Sequence, residues 1–358
     1  MKIIYIIDQP NMYGSERHLL DIIRYFSPGC SCDVELVAFS DGPMLKYVNV
    51  KFSIFSLGWV VNLITFFRLA MHIRQTAPDV IHCHQPKAAF LGSLLGRILN
   101  IPTVITVHSR AYDHAIIHKG LFKRTAVFLF HKLVLTTSVL CSGKVIYVND
   151  GMFKKSINKK KSVFLPNWLS SLYSCGSKKT FEFEPGKKIR FISVGTVTKA
   201  KGYDILLDFL GRLSLDSINY SSIVFGGVDD SYYKELKGNP LFSDKIDFRG
   251  YTDSVIDELN EADFYVLFSR SETFGLSYLE AMSQGLPIIC LDLEELKYLI
   301  PSSNVLEPDA DLAYESFLNL LDSKAYSDVS ARNVSRSSDF SYTYVMESLR
   351  VIYEDVRK

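Results

Sequence analysis

Two glutamates with seven residues between them, Glu272 and Glu280, flank a Phe-Gly-Leu sequence at positions 274–276. Apolar residues at 276, 279 and 282 have helical spacing, so a helix is predicted to begin near Gly275. The first N–H groups of a helix lie unpaired at its positive end, where phosphate groups bind readily. Gly275 has no Cβ, which lets a ligand approach its backbone. A carboxylate can accept hydrogen bonds from two adjacent sugar hydroxyls, so two carboxylates beside a phosphate site could bind two sugars, one at each end of a diphosphate. An ordinary helix start with two carboxylates is the alternative.

Short apolar runs alternate with helical patterns along the chain, which predicts an α/β fold with parallel sheets covered by helices. In the first half the predicted strands are 3–7, 33–38, 52–56, 80–83, 103–107 and 145–148. After a polar stretch at 170–188 the pattern restarts, with predicted strands at 190–194, 222–225, 247–249, 264–268 and 287–290. We therefore predict two Rossmann-like β/α/β domains, residues 1–168 and residues 169–339. Such sheets bind ligands at the carboxyl ends of their strands.

The net charge of +1 conceals a strong asymmetry between the two halves of the chain. Residues 1–168 contain 20 basic and 9 acidic residues, a net charge of +11. Residues 169–358 contain 20 basic and 30 acidic residues, a net charge of −10. A basic first half suits an anionic partner such as a nucleic acid, a membrane surface or a phosphorylated ligand. Attraction between the two domains is the alternative explanation.

The six cysteines are scattered, and the N-terminal apolar run is too short for a signal peptide, so we expect reduced thiols in a cytoplasmic protein. Cys30 and Cys32 form the only close pair, which is a weak metal signal. The apolar stretches 59–71 and 125–141 are interrupted by polar residues before they reach the ~20 residues that a membrane helix needs. We therefore expect no membrane span.

The segment from Ser269 to Ile289 resembles the donor-site signature of the retaining glycosyltransferases of family 4, which have the GT-B fold. That family carries two glutamates with seven residues between them around Phe-Gly, then Glu-Ala-Met and a Gly-Leu-Pro turn. This chain has all of these features between Glu272 and Pro287. The resemblance extends over nearly the whole chain. It implies two domains facing each other across a cleft, with a C-terminal helix at 340–358 that crosses back to the N-terminal domain.

The resemblance also implies roles for the residues of this segment. Glu280 would bind the ribose hydroxyls of a nucleotide. Glu272 and the Phe274–Gly275 backbone would hold the donor sugar. The N–H groups of Leu276 and Ser277 would contact the diphosphate.

Four matches elsewhere in the chain support the resemblance, and one departure qualifies it. Lys201 stands where the family's lysine neutralises the leaving diphosphate, and Tyr251 follows the strand that borders the base. Gly14 belongs to the glycine-rich first loop that faces the phosphates. His108 ends a predicted strand at the position of the family's active-site histidine. Thr196 stands at the donor site where an arginine is usual, which removes a charge-assisted bond worth roughly 1.5–3 kcal/mol.

Metal ions and nucleic acids are not expected as partners. His114 and His118 have helical spacing but lack the acidic residue of a zinc hydrolase, and the resembled family is metal-independent, so no cofactor is predicted. No RNA- or DNA-binding motif is visible. Basic and aromatic residues mix from Lys119 to Lys132, and with the lysines at 154–161 they could contact an anionic membrane. A helix packed on the sheet with a solvated basic face is the alternative.

Together these features predict a retaining glycosyltransferase that moves a sugar from a nucleotide-sugar, a UDP- or GDP-sugar, to an acceptor hydroxyl. The implied catalytic residues are Glu272, Lys201 and His108. The expected acceptor is a lipid-linked glycan in capsule, O-antigen or exopolysaccharide assembly, which implies a peripheral position on the inner face of the membrane. Two alternatives stay open. One is a sugar-nucleotide epimerase of the same fold, and the other is a non-catalytic nucleotide-sugar binding or assembly protein.

Overall fold

The computed structural model describes residues 1–12, 14–27, 32–57, 63–109, 120–171, 173, 176–252 and 255–358. The chain forms two compact units. The first comprises Met1–Ser170 and Tyr342–Lys358, and the second comprises Ser171–Ser341. The boundaries predicted from the sequence, after 168 and after 339, lie two residues from these positions.

The first unit contains a seven-stranded parallel sheet in the order β3-β2-β1-β4-β5-β6-β7. Its strands are β1 (Lys2–Ile7), β2 (Asp33–Ala38), β3 (Lys51–Ile54), β4 (Val80–His84), β5 (Thr103–Val107), β6 (Lys144–Tyr147) and β7 (Ser162–Phe164). Its described α-helices are α1 (Gly14–Phe26), α2 (Leu63–Thr76), α3 (Pro86–Leu99), α4 (Leu121–Cys141), α5 (Asp150–Lys154) and, numbered in chain order, α12 (Tyr342–Val356). A 3-10 helix spans Pro43–Tyr47.

Both faces of this sheet are buried, because the side chains of β1 alternate between two hydrophobic clusters. Ile3, Tyr5 and Ile7 pack on one side with residues of α1 and α12. Ile4 and Ile6 pack on the other side with residues of α2, α3 and α4. The C-terminal helix is thus part of the core of the first unit.

The second unit contains a six-stranded parallel sheet in the order β10-β9-β8-β11-β12-β13. Its strands are β8 (Ile189–Val194), β9 (Tyr220–Phe225), β10 (Ile246–Gly250), β11 (Phe264–Val266), β12 (Ile288–Leu291) and β13 (Val305–Glu307). Its α-helices are α6 (Tyr203–Leu215), α7 (Asp230–Lys237), α8 (Ile256–Glu261), α9 (Leu276–Ser283), α10 (Ala310–Asn319) and α11 (Ser323–Ser338). A 3-10 helix spans Lys199–Lys201.

The predicted α/β fold with two parallel sheets is confirmed. The sequence analysis missed β7 and β13, which have three residues each and lie at sheet edges. It also extended β11 by two residues, to 268, whereas the strand ends at Val266.

In each sheet the strand order reverses where two strands that are not consecutive in the chain are neighbours, β1 with β4 and β8 with β11. The connections that leave the carboxyl ends of such strands diverge and open a crevice, which is the usual ligand position in these folds. In the second unit the connections at this point are 195–202 and 267–275. In the first unit they are 8–12 and the turn at Gln85. The predicted site residues of the second unit lie in these two connections or in α9, which follows the second of them, except for Tyr251, which follows β10.

Candidate active site

Lys201 and Glu272 meet beside the crevice between β8 and β11. The Lys201 Nζ lies 2.6 Å from Glu272 Oε1, and Ser269 Oγ donates a 2.7 Å hydrogen bond to the same oxygen. The Glu272 side chain is 9% exposed and the Lys201 side chain 26% exposed, so solvent and ligands can still reach the ion pair. The sequence analysis predicted both residues but assigned no role to Ser269, although Ser269 is the first residue of the signature segment.

The loop that carries Lys201 is fixed by Arg270. The Arg270 backbone N–H donates to Ala200 O at 2.8 Å, and its guanidinium donates to both carboxylate oxygens of Asp204 at 2.8 and 2.7 Å. Burial would raise the pKa of Asp204, but its bonds to Arg270 and Tyr232 lower that pKa to about 2. This bidentate pair holds the two loops of the crevice together, and the sequence analysis missed it because its members lie 66 positions apart.

Helix α9 begins directly after Gly275, as predicted. The φ of Gly275 is 90°, in the left-handed region. A Cβ at this position would lie 2.9 Å from side-chain atoms of Leu296 and Tyr278, so glycine is required there on both counts. Behind the first turn of the helix, the Tyr265 hydroxyl lies 2.8 Å from Ser277 Oγ. The N-terminus of α9 is therefore held rigidly next to the loop that carries Glu272.

The other predicted donor residues lie at the same edge of the sheet. Thr196 follows β8, Tyr251 follows β10 with half of its surface exposed, and Glu280 is half-buried in the second turn of α9. The ring of Phe274 is buried, with its centroid 5.5 Å from that of Phe340. Only the backbone of Phe274 is thus available to a ligand, as the predicted role requires.

In the first unit, His108 lies in a cluster of three histidines. His84 Nδ1 lies 3.0 Å from His108 Nε2, and the ring centroid of His18 on α1 lies 4.9 Å from that of His108. One ring nitrogen from each residue lies within 4.8 Å of the others. The sequence analysis did not assign His18 or His84 to a site, because only the fold brings α1, β4 and the end of β5 together.

A buried hydrogen-bond chain links β5, the strand that precedes His108, to the C-terminal helix. His82 Nδ1 lies 2.6 Å from the Tyr353 hydroxyl on α12, and His82 Nε2 lies 2.7 Å from Thr106 Oγ1 on β5. His108 follows Thr106 by two residues. The chain ties α12 to the strand that positions His108.

Gly14 is the first residue of α1, and Gln85 holds the loop that leads to it. Gln85 Oε1 accepts hydrogen bonds from the backbone N–H groups of Asp8 and Gln9 at 3.1 and 2.8 Å. Gln85 Nε2 donates to Glu16 Oε1 at 2.7 Å. The left-handed φ of Gln85, 72°, is uncommon for a residue with a side chain. Its position in the crevice between β1 and β4 accounts for that conformation, which no feature of the sequence indicated.

Comparisons with known proteins match both units. A model of glycosyl transferases group 1 matches residues 177–313, and a model of glycosyltransferase family 4 matches residues 12–150. Together the two models cover most of the chain, which is a group 1/family 4 glycosyltransferase. The predicted family and the predicted enzymatic class are confirmed.

Relatives of this glycosyltransferase match most of its length. An uncharacterized glycosyltransferase of Methanocaldococcus jannaschii is 26% identical over 307 residues, which are 82% of this chain and 80% of the relative. The UDP-Gal:alpha-D-GlcNAc-diphosphoundecaprenol alpha-1,3-galactosyltransferase of Escherichia coli is 20% identical over 81% of this chain and 79% of its own. The crystal structure of Anabaena HepE in complex with UDP and glucose is similar, with a TM-score of 0.79 and 15% sequence identity. The match covers 99% of this chain and 100% of HepE. The solved structure confirms the GT-B fold.

The four buried histidines His18, His82, His84 and His108 of this glycosyltransferase are neutral at pH 7. Burial lowers the pKa of His82 to about 3 and the pKa of His108 to about 4. Burial is the main cause that holds the pKa values of His18 and His84 well below their usual range, and the neighbouring imidazoles lower them further. His108 therefore acts as a neutral hydrogen-bonding group and not as a cation.

The free energy of unfolding should fall as the pH drops from 7 to 5. The unfolded chain takes up protons on these histidines near their usual pKa of ~6.5, whereas folded His108 and His82 resist protonation until about pH 4 and about pH 3. Stability is thus fully present above pH 6.5 and is lost as the pH falls, with a loss at pH 5 of about 2 kcal/mol for each of these two residues. Urea unfolding at several pH values measures how steeply the free energy of unfolding changes with pH. His82→Asn should reduce this slope by the equivalent of about one bound proton. A pH-independent free energy between 5 and 7 would contradict neutral histidines in the fold.

The prediction that no metal is bound stays a prediction. The His18, His84 and His108 cluster is the one group of metal-ligating side chains found within the described ranges. Its residues fit a hydrogen-bond network, since His84 and His108 already share a hydrogen bond. The predicted helical pair His114 and His118 lies outside the described residues.

Proposed function

We propose that this glycosyltransferase moves a sugar from a UDP-sugar to a lipid-linked glycan at the cytoplasmic face of a membrane, with retention of anomeric configuration. The observation that carries the proposal is the Lys201–Glu272 pair beside the N-terminus of α9. Two relatives support the choice of substrates by their names. HepE binds UDP and glucose, and the E. coli galactosyltransferase acts on a diphosphoundecaprenol-linked sugar.

The leaving diphosphate would be stabilised by fixed positive charge. Lys201 is a full cation held by its loop, and the N–H groups at Leu276 and Ser277 lie at the positive end of α9. Charge that develops on the phosphate during bond breaking is stabilised most by groups that are already oriented. These groups would take the place of a divalent cation, so we propose a metal-independent donor site.

Glu272 would hold the transferred sugar. Its carboxylate accepts hydrogen bonds from Lys201 and Ser269 through the same oxygen, Oε1. Neither of these contacts uses Oε2, and we propose that Oε2 accepts a hydrogen bond from a sugar hydroxyl while both contacts remain. Glu280 would bind the ribose hydroxyls, and His108 would form a hydrogen bond with the sugar.

The replacement of the usual arginine by Thr196 favours weaker donor binding and is the main support for a non-catalytic binder. Arg270 does not substitute for it in this structure, because its guanidinium is engaged by Asp204 and the Lys199 carbonyl. Lys199, in the same 3-10 helix as Lys201, is the exposed cation nearest in sequence to Thr196 and is available to contact the phosphates.

Incubation of the enzyme with UDP-sugars, GDP-sugars and undecaprenyl-diphosphate-linked sugars tests the proposal. We expect one UDP-sugar to give an elongated lipid-linked product, with nucleotide release unaffected by EDTA. Proton NMR of the new linkage should show the same anomeric configuration as the donor.

Three outcomes would contradict the proposal in different ways. Alteration of the donor sugar without an acceptor would indicate an epimerase. Nucleotide binding without turnover on any acceptor would indicate a binding protein. Complete loss of transfer in EDTA, restored by a divalent cation, would exclude the metal-independent donor site.

A further inference from the structure

Three histidines of the first unit have the spacing of zinc ligands. His18 lies on α1, His84 ends β4 and His108 follows β5. Their ring centroids are 4.9, 5.3 and 5.8 Å apart. Three imidazoles on one tetrahedral zinc ion, with Zn–N bonds of about 2.0–2.1 Å, have ring centroids about 5.2 Å apart. The three rings could therefore surround one ion with only small movements.

The ring nitrogens of the three residues also converge. One nitrogen from each lies within 4.8 Å of the others, and His84 Nδ1 lies 3.0 Å from His108 Nε2. Two nitrogen ligands of a tetrahedral zinc ion lie about 3.3 Å apart, so this pair is already close to the required separation. When both nitrogens coordinate, each ring carries its proton on the other nitrogen, which changes a tautomer and not the charge.

The hydrogen-bond network of this cluster is incomplete. His84 has a partner at Nδ1, but its Nε2 is buried and has no hydrogen-bond partner among the described residues. Most buried polar side-chain atoms in native proteins have a partner. Hydrogen bonds alone therefore do not account for three imidazoles that converge in the interior of the unit, whereas a shared metal ion does.

The three rings are in the protonation state that binds metal. Burial lowers the pKa of His108 to about 4 and holds the pKa values of His18 and His84 well below their usual range. Each imidazole is therefore neutral at pH 7 and has one nitrogen lone pair, as a metal ligand must. The ring of Trp168, 3.8 Å from that of His18 between centroids, keeps His18 on the side of the cluster.

A fourth position is left to solvent. His82 is the next histidine, with its ring centroid 4.3 Å from that of His84. Both of its ring nitrogens are engaged, by the Tyr353 hydroxyl and by Thr106 Oγ1, so it does not serve as a ligand. His108 is partly exposed. Zinc can enter on that side, and a water molecule can complete the tetrahedron, as in other sites with three histidines.

We propose that His18, His84 and His108 bind one zinc ion reversibly, with water as the fourth ligand. The cluster contains no carboxylate, so a bound ion keeps its double positive charge, which favours reversible over permanent binding. The site belongs to the first unit and is separate from the donor site of the second unit, which we propose to be metal-independent. The sequence analysis did not find it because the three ligands are far apart in the sequence.

Zinc at this site should inhibit sugar transfer. This consequence rests on the proposed function, in which His108 forms a hydrogen bond with the sugar. A ring that is held by zinc cannot turn to form that bond. Removal of zinc by EDTA should therefore restore the rate, whereas a catalytic metal would show the opposite response.

Zinc titration of the full-length enzyme against a chromophoric chelator, and the visible spectrum of the Co²⁺ form, test the site without an activity assay. We expect one zinc ion per chain and the spectrum of tetrahedral Co²⁺, without the charge-transfer band of a thiolate ligand. His18→Gln and His84→Gln should each bind zinc at least about 100-fold more weakly, because loss of a hydrogen bond to a metal ligand alone costs about 10–100-fold in affinity.

A histidine elsewhere in the first unit provides a matched control. His72 on α2 lies 2.8 Å from Glu35 Oε1, and His72→Gln should bind zinc like the wild type. The melting temperature and UDP affinity of every variant are measured in EDTA. Values close to those of the wild type for His18→Gln and His84→Gln would show that loss of zinc binding is not loss of the fold.

Four results would overturn the zinc site. They are no zinc binding by the wild type, an octahedral Co²⁺ spectrum, a thiolate band, and equal zinc affinity in the wild type, His18→Gln and His84→Gln. The transfer assay is judged separately. Zinc should lower the rates of the wild type and of His72→Gln, and it should not lower the rates that His18→Gln and His84→Gln each have in EDTA. Zinc binding at the three histidines without inhibition would confirm the site and contradict the role of His108 at the sugar.

Discussion

Replacement of Lys201 by alanine should lower the rate of sugar transfer by about 10²–10³-fold while the protein stays folded. The lysine is the full positive charge closest to Glu272, 2.6 Å away, and it lies beside the positive end of α9. Removal of one oriented group that stabilises developing charge costs about this factor in other enzymes. The measurement is kcat with saturating donor, compared with the melting temperature of the same sample.

Lys188, at the other end of the same strand, provides a matched control. Lys188 lies exposed just before β8, at the amino end of the sheet, whereas Lys201 follows the carboxyl end of that strand. Lys188→Ala should transfer sugar at the wild-type rate. If Lys201→Ala keeps more than half of the wild-type kcat, the role of Lys201 at the diphosphate is wrong.

Gly202→Ala should have the largest effect on stability among the substitutions around the site. Gly202 has φ 66°, and a Cβ there would lie 1.9 Å from the Phe268 carbonyl oxygen. The left-handed conformation costs a residue with a side chain about 1 kcal/mol or more, and the clash with backbone adds to this, so we expect a loss of about 3 kcal/mol. The loop that carries Lys201 must shift to relieve the contact, so transfer should fall as well. Urea unfolding and kcat measure the two effects.

Gly186→Ala separates the two causes. Gly186 has φ 86°, but nothing lies within 4 Å of a Cβ built there. This variant should lose only about 1 kcal/mol and keep its activity. Equal stability losses in the two variants would show that the contact with Phe268 does not constrain the loop.

The local structure around Glu272 and Gly275 was predictable because its signals are local, whereas the donor role of these residues came from the family resemblance and stays a prediction. Glu272, Gly275 and the apolar residues of α9 lie within one short segment, and their spacing alone indicates a strand end, a tight turn and a helix start. The pairing of Lys201 with Glu272 follows from topology, since both residues leave the carboxyl ends of adjacent strands.

The histidine cluster was not predictable from spacing. His18, His84 and His108 come from a helix and two strands, and their proximity depends on the order in which the strands pair. Gln85, which has a positive φ of 72°, likewise contacts Asp8, Gln9 and Glu16, which lie far away in the sequence. Such features depend on side-chain packing between distant segments, which neither hydrophobic periodicity nor turn residues can predict.

The exposed apolar side of α4 shows a third kind of limit. The sequence mixes apolar and basic residues there, and it left open whether the helix packs on the sheet or contacts a membrane. The structure shows one side packed on the unit through Val139 and the opposite side exposed. Hydropathy alone could not separate these two sides, because both are apolar.

Calorimetric titration of UDP into the full-length enzyme in EDTA tests the central claim, a metal-independent donor site at Lys201, Glu272 and α9. We predict binding by the wild type and by Lys188→Ala, and at least about tenfold weaker binding by Lys201→Ala, because a charge-assisted hydrogen bond contributes ~1.5–3 kcal/mol. Absence of UDP binding in EDTA, or equal affinity in wild type and Lys201→Ala, would contradict the account.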